Sequence, residues 1–241
     1  MKVRILLAAI ALLARTADAR WIVVSDIDDT IKDTHVVDAS HHRDIAHLLG
    51  DPFRKWAPVP GMAARYGGWS SRDRAECVYL SKSPWFYRPR LSAFLCTSGF
   101  PAGRLSLNPL FPFTPARFKN APIRKLIRAN PGCAFLLVGD SGEDDPEIFG
   151  SLAREFPRSV CGVFIRDVTP ADPALRYHRA FAGVPRGRWH LFARASQLPA
   201  SLDRPAKLPL PHAQKIKAHR PQIRLRHSRE PEGHHPRHAA V

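Results

Sequence analysis

Four runs of uninterrupted apolar residues, 21–24, 77–80, 133–138 and 160–165, constrain this chain more than any other feature. A strand with one wet face alternates apolar and polar residues. An unbroken run of four to six must instead be covered on both faces, as in a parallel sheet packed between helices. Helical stretches are expected between the runs, at 61–71, 87–97, 119–129 and 146–156. The second carries Leu91, Phe94 and Leu95 on one side, and the third Ile123, Leu126 and Ile127. The fourth opens on Pro146 and carries Ile148, Phe149, Leu152 and Phe156. A further short strand is expected at 104–107. Strand and helix in alternation predict an α/β fold with a parallel sheet and helices on both faces.

In open α/β sheets, ligands bind outside the carboxyl ends of the strands. Three of the four runs end in polar residues suited to phosphate chemistry: Asp26, Ser81 and Asp140. After the first strand, Ser25-Asp26-Ile27-Asp28-Asp29-Thr30-Ile31-Lys32 packs three carboxylates into four residues. Their mutual repulsion is expected to raise their pKa values, and a cation is expected to offset it. Oxygen ligands of this kind suit Mg²⁺. Asp26 and Asp28 are two apart, so in an extended segment both side chains leave on one side. One can serve as nucleophile and the other as proton donor to the leaving group. The segment Gly139-Asp140-Ser141-Gly142-Glu143-Asp144-Asp145-Pro146 repeats the theme after another strand. Each cluster alone could equally be an acidic turn or a helix cap. Two of them, each at a strand end, point to a shared metal site.

These residues carry a resemblance. Asp26-x-Asp28-x-Thr30, Ser81, Lys119 and Gly139-Asp140 with a further Asp resemble the four motifs of the haloacid dehalogenase superfamily of phosphotransferases. Longer strings narrow it: Pro60-Gly61-Met62, Ser83-Pro84-Trp85, Asp145-Pro146-Glu147-Ile148 and Ile165-Arg166-Asp167-Val168. With these, 21–168 is similar to the catalytic domain of the actin-patch-type phosphatidate phosphatase family. The resemblance implies a Rossmann-like sheet with a small insertion between the first and second motifs. It implies Asp26 as nucleophile and Asp28 as general acid and base. Ser81 and Lys119 would hold the phosphoryl group, and Thr30 would orient the first loop. Mg²⁺ would bind the Asp26 carboxylate, the Asp28 carbonyl, Asp140 and Asp145. Two departures stand out: Lys82 occupies a position expected to be Asn, and Asp144 stands beside Asp145 as a rival ligand.

The ends of the chain differ from its middle. Residues 1–19 read as a signal peptide: a basic start, ten apolar residues at 5–14 and Ala17-Asp18-Ala19 as the cleavage site. That predicts a periplasmic or secreted protein, with Arg20 alone ahead of the first strand. An apolar stretch of ten is too short to span a bilayer. Residues 204–241 hold nine Lys/Arg, two Glu, six His and six Pro, a charge of +7, and are expected to be a disordered basic tail. Residues 20–203 are left for one catalytic domain. Four cysteines without a C-x-x-C pair argue against a structural zinc site.

The net charge of +16 predicts attraction to a polyanion. The resemblance favours phosphatidate at an anionic membrane surface over nucleic acid. The alternatives are soluble phosphomonoesters as substrates, or a non-catalytic module binding anionic membrane or nucleic acid. The pairing of Asp26 with Asp28 argues against a mere binder. The stretch 31–75, with His35, His41, His42, His47 and Trp56, is where substrate-selecting elements are expected. Trp85-Phe86-Tyr87 stands beside the expected site, either to meet acyl chains or as a helix entry packed into the core.

Overall fold

The computed structural model describes residues 20–33, 56–109, 118–168 and 174–202. These lie in one compact unit, Met1–Pro211. The expected leader (1–19) and tail (204–241) fall outside the described residues, as do His35, His41, His42 and His47.

The chain forms β1 (Trp21–Asp26), two short strands β2 (Lys32–Asp33) and β3 (Ala57–Pro58), α1 (Met62–Arg72), β4 (Glu76–Pro84), α2 (Arg88–Thr97) and β5 (Gly103–Asn108). There follow α3 (Asn120–Ala129), β6 (Ala134–Asp140), α4 (Asp145–Glu155), β7 (Val160–Arg166), α5 (Ala174–Ala180) and β8 (Trp189–Phe192). The main sheet has the order β5-β4-β1-β6-β7-β8, and every pairing in it is parallel. β2 and β3 pair antiparallel beside it, joining the two ends of the insertion.

The chain builds outward from β1 to β4 and β5, then returns to the other flank of β1 and builds outward through β6, β7 and β8. Parallel crossovers are right-handed, so a reversal of direction moves the connecting helices to the opposite face. The core divides accordingly. Trp21, Val23, Cys77 and Tyr79 pack with Met62, Tyr66 and Trp69 of α1 and Leu91, Phe94 and Leu95 of α2. Ile22, Val24, Val78 and Leu80 pack with Ile123 and Ile127 of α3 and Ile148, Phe149 and Leu152 of α4. Odd and even residues of each strand thus enter different cores, which is why the runs are unbroken. Each such side chain contributes roughly 1.5–3 kcal/mol by leaving water.

Some boundaries moved. β4 does not stop before Ser81 but continues to Pro84, with its pairing to β5 slipping between those residues. β8 and α5 were not expected from the sequence. His190 interrupts the apolar run of β8, yet its ring is buried against Phe164, with centroids 4.9 Å apart. All four cysteines are free thiols. Among the described residues, no helix is long and apolar enough to cross a membrane.

β1 and β6 are where the strand order reverses. A crevice opens outside the carboxyl ends at such a point, and Asp26 and Asp140 are the last residues of those two strands.

Candidate active site

The first acidic stretch is extended only as far as Asp26; the chain then turns. The Ile27 carbonyl accepts from the amides of Ile31 (3.0 Å) and Lys32 (2.9 Å), and the Asp29 amide donates to the Lys32 carbonyl at 2.8 Å. Asp29 sits at φ 53°, a left-handed conformation that aspartate tolerates better than most residues. Arg166, at the end of β7, donates to the Asp29 carbonyl at 2.5 Å. Behind the loop, the Ser25 hydroxyl donates to the Asp26 carbonyl (2.6 Å) and lies 2.8 Å from the Tyr66 hydroxyl.

The turn brings together groups from four parts of the chain. One carboxylate oxygen from each of Asp26, Asp140 and Asp145 lies within 4.8 Å of the others, and all three residues are buried. Lys119, the residue before α3, is 1% exposed at its side chain, not a surface residue. Its ammonium is 2.6 Å from Asp26 Oδ1 and 2.7 Å from Asp145 Oδ1. Thr30 Oγ1 lies 3.2 Å from both Asp26 Oδ2 and Asp140 Oδ2, so its one proton can serve either. The Gly142 amide donates to Asp140 Oδ1 at 2.7 Å. Gly139 explains how Asp145 approaches: a Cβ there would collide with Asp145 Oδ2 and the Phe149 ring. Asp144, the rival ligand, stands apart. Its side chain is 49% exposed and pairs with Lys82 at 3.6 Å.

Burial governs the electrostatics. Desolvation raises the pKa of Asp26 well above the carboxylate range, against the attraction of Lys119 and with repulsion from Asp145 and Asp140. Asp145 is raised for the same first reason. Asp140 is pushed up to about 7 by desolvation and the charge of Asp145. Burial works to lower the Lys119 pKa, but the surrounding carboxylates outweigh it and hold the ammonium charged. Asp28 corrects the expectation that the whole cluster shifts upward. Burial would raise it, but Lys32 at 2.5 Å and a hydrogen bond from Ser81 at 2.8 Å bring it below its ordinary value. Lys32 was overlooked as a site residue. Its place at i+4 from Asp28, in a turn, was the available signal.

Ser81 Oγ donates to Asp28 Oδ2 and accepts from the Ser83 amide at 3.0 Å, so β4 and the first loop are tied together. Lys82 bridges from β4 to the second acidic loop, with Glu143 at 3.0 Å. The aromatic segment divides: Tyr87 packs against the core, while Trp85 is 60% and Phe86 42% exposed. Another residue the sequence did not single out is Arg176 in α5. It donates to both carboxylate oxygens of Glu147 at 2.8 Å, to the Ser141 carbonyl at 2.5 Å, and to the Glu143 carbonyl.

The arrangement offers a buried carboxylate of the kind that can act as a nucleophile, a cation against it, and a second carboxylate two residues away held by a hydroxyl. With all three carboxyls ionised, the single ammonium would leave excess negative charge in a buried space. Oxygen donors so placed can hold a hard divalent cation. The family model for the catalytic domain of phosphatidate phosphatase APP1 matches residues 21–167. The chain belongs to that family. Phosphatidate phosphatase APP1 of Saccharomyces cerevisiae is 28% identical over 151 residues, covering 60% of this chain and 25% of that protein. The uncharacterized protein C29B5.04c of Schizosaccharomyces pombe is 29% identical over 155 residues, 61% of this chain and 25% of its own length. The chain therefore aligns with about a quarter of the length of each of these two relatives. Among solved structures, a class C acid phosphatase from Bacillus anthracis with tungstate bound superposes with TM-score 0.36 at 18% identity, over 56% of this chain and 57% of that one. All seven residues expected to form the site lie within the span matched to the APP1 catalytic domain; α5 and β8 lie beyond it.

Proposed function

We propose that this APP1-family chain is a Mg²⁺-dependent phosphatidate phosphatase that works through an aspartyl-phosphate. The observation that carries the reading is the buried group of Asp26, Asp140 and Asp145 against Lys119, at the point where the sheet reverses its strand order. Family membership supplies the substrate class. A divalent cation held by Asp26, Asp140 and Asp145 would neutralise charge on the phosphoryl oxygens and the attacking carboxylate.

The chain's own residues divide the reaction into two steps. An oxygen of Asp26 attacks phosphorus; the bond from phosphorus to the lipid oxygen breaks, and the departing alkoxide takes a proton from Asp28. Asp28 then takes a proton from water, which attacks phosphorus, releases phosphate and restores Asp26. Lys32 and Ser81 hold Asp28 in the base form needed for the second step. A phosphomonoester dianion arriving beside it opposes that ionisation and favours the proton needed for the first. Lys119 offsets the charge of the nucleophile. Ser81 turns its hydroxyl from Asp28 towards a phosphoryl oxygen, where charge develops. Thr30 keeps the Asp26 and Asp140 carboxylates in register.

The test is phosphate release from phosphatidate vesicles and from a panel of soluble phosphomonoesters, with Mg²⁺ and with EDTA. Asp26→Asn should lose at least about 10³-fold in turnover while remaining folded. Unchanged turnover in that variant, or full activity in EDTA, would sink the mechanism. A preference for the soluble panel would keep the mechanism and replace the substrate. The reading also includes export: the secreted chain should begin at Arg20 on amino-terminal sequencing, and an intact Met1 on extracytoplasmic protein would count against a cleaved leader.

A further inference from the structure

Among the described residues three large hydrophobic side chains are exposed, and two of them are neighbours: Trp85 and Phe86, the third being Leu175. Their rings meet edge to face at 5.9 Å and form a small apolar ridge. The ridge lies on the short turn Trp85–Tyr87 that directly follows β4, the strand whose Ser81 reaches Asp28. It therefore shares the carboxyl edge of the sheet with the active site. Residues 82–90 contain Lys82, Arg88 and Arg90 and no acid; Lys82 is paired with Glu143 and Asp144, which leaves the two arginines as the cations beside the ridge. Arg88 is exposed even while donating to the Leu105 carbonyl at 3.0 Å. Arg90 lies over the Trp56 ring, 4.3 Å from its centroid.

We infer that Trp85 and Phe86 are a membrane-contacting wedge that seats the mouth of the active site on an anionic lipid surface. Indole and phenyl rings settle at the headgroup level, with an apolar body in the acyl boundary. A guanidinium beside them finds lipid phosphates there. A second copy of this chain is the poorer occupant, because it would bring a +16 molecule against the same cations. The inference deepens the lipid reading above and rests on it for the substrate the wedge would deliver.

The five tryptophans make it measurable. Trp21, Trp69 and Trp189 are buried, and Trp56 is half-buried beneath two cations, leaving Trp85 as the exposed one. The full chain is mixed with phosphatidylcholine–phosphatidylserine vesicles, which carry phosphodiesters and hence no phosphomonoester to hydrolyse. Brominated acyl chains should quench tryptophan emission, and Trp85→Phe should abolish that quenching while leaving binding. At high salt, where attraction of exposed charges is screened, Trp85→Ser with Phe86→Ser should weaken the remaining binding about tenfold or more. Equal quenching in Trp85→Phe, or equal high-salt binding in the double variant, would overturn the wedge. So would a dimer in lipid-free solution that the double variant converts to monomer, because the ridge would then be a protein interface. If quenching and binding behave as expected but phosphatidate is not hydrolysed, the surface stands and the substrate reading fails.

Discussion

At the residue scale the buried trio of Asp26, Asp140 and Asp145 carries an electrostatic burden that a bound cation would relieve. Asp140 has a folded-state pKa of about 7, above the value of 3.8 for a free carboxyl. Below the lower value it is protonated in both states and costs nothing. Between the two values the unfolded chain ionises and the folded chain resists, so stability falls as pH rises, and the loss is complete above about 7. Asp26 and Asp145 shift in the same direction through burial. Asp28, shifted down, and Lys119, shifted up, titrate outside this window. The expected result is a Tm in EDTA that falls from pH 5 to pH 8, with Mg²⁺ raising Tm more at pH 8 than at pH 5. A Tm flat across that range, or an equal Mg²⁺ effect at both ends, would show that the trio carries no such burden.

At the element scale the second acidic loop depends on a helix outside the matched family span. Arg176 of α5 spans Glu147 in α4 and the carbonyls of Ser141 and Glu143, fixing the loop that leads into Asp145. Tyr177, the next residue, donates to Asp167 at 2.9 Å, and the Ser141 hydroxyl donates to Asp167 at 3.4 Å while accepting from the Val168 amide at 2.9 Å. Groups that hold metal ligands in place typically contribute 10–100-fold to metal affinity. Arg176→Ala should therefore weaken Mg²⁺ binding by about tenfold or more in titration calorimetry, and Arg176→Lys should recover only part of it, since lysine lacks the planar fork. If Mg²⁺ affinity is unchanged and only Tm falls, Arg176 is a staple between helices and nothing more.

At the scale of the whole molecule, charge is spread unevenly. Residues 204–241 carry +7 of the net +16. Each basic residue near an anionic surface contributes about 1 kcal/mol before screening and chain entropy reduce it. Deleting 204–241 should weaken binding to phosphatidate-rich vesicles and flatten its salt dependence, measured by co-sedimentation over a salt series. Turnover of a small soluble phosphomonoester should be nearly unchanged. Vesicle binding and phosphatidate turnover that ignore the deletion would remove these charges from the account of membrane attraction. The aromatic ridge and the basic segment predict separable effects: the first persists in high salt, the second does not.

The division between sequence and structure follows from range. Unbroken apolar runs at 21–24 and 133–138 reveal a strand buried on both faces, because burial on two faces leaves no position for a polar residue. The acidic clusters are local too, so Asp26, Asp28 and Asp140 were legible as acidic groups at or just beyond strand ends. What no local pattern contains is the order β4-β1-β6. That order brings Ser81, Asp26 and Asp140 to neighbouring strands although they are far apart in the chain. Short elements were illegible for a related reason: β8, four residues interrupted by His190, becomes a strand only because β7 offers it an edge. Tertiary structure also decided between Asp144 and Asp145. Side by side they look alike, but α4 turns one into the buried group and the other towards Lys82. Asp28 went against its acidic neighbours because a charge inside its own turn, Lys32, stands closer to it than they do. Sequence determined which chemical groups were available at each strand end; packing decided which of them meet, and with what charge.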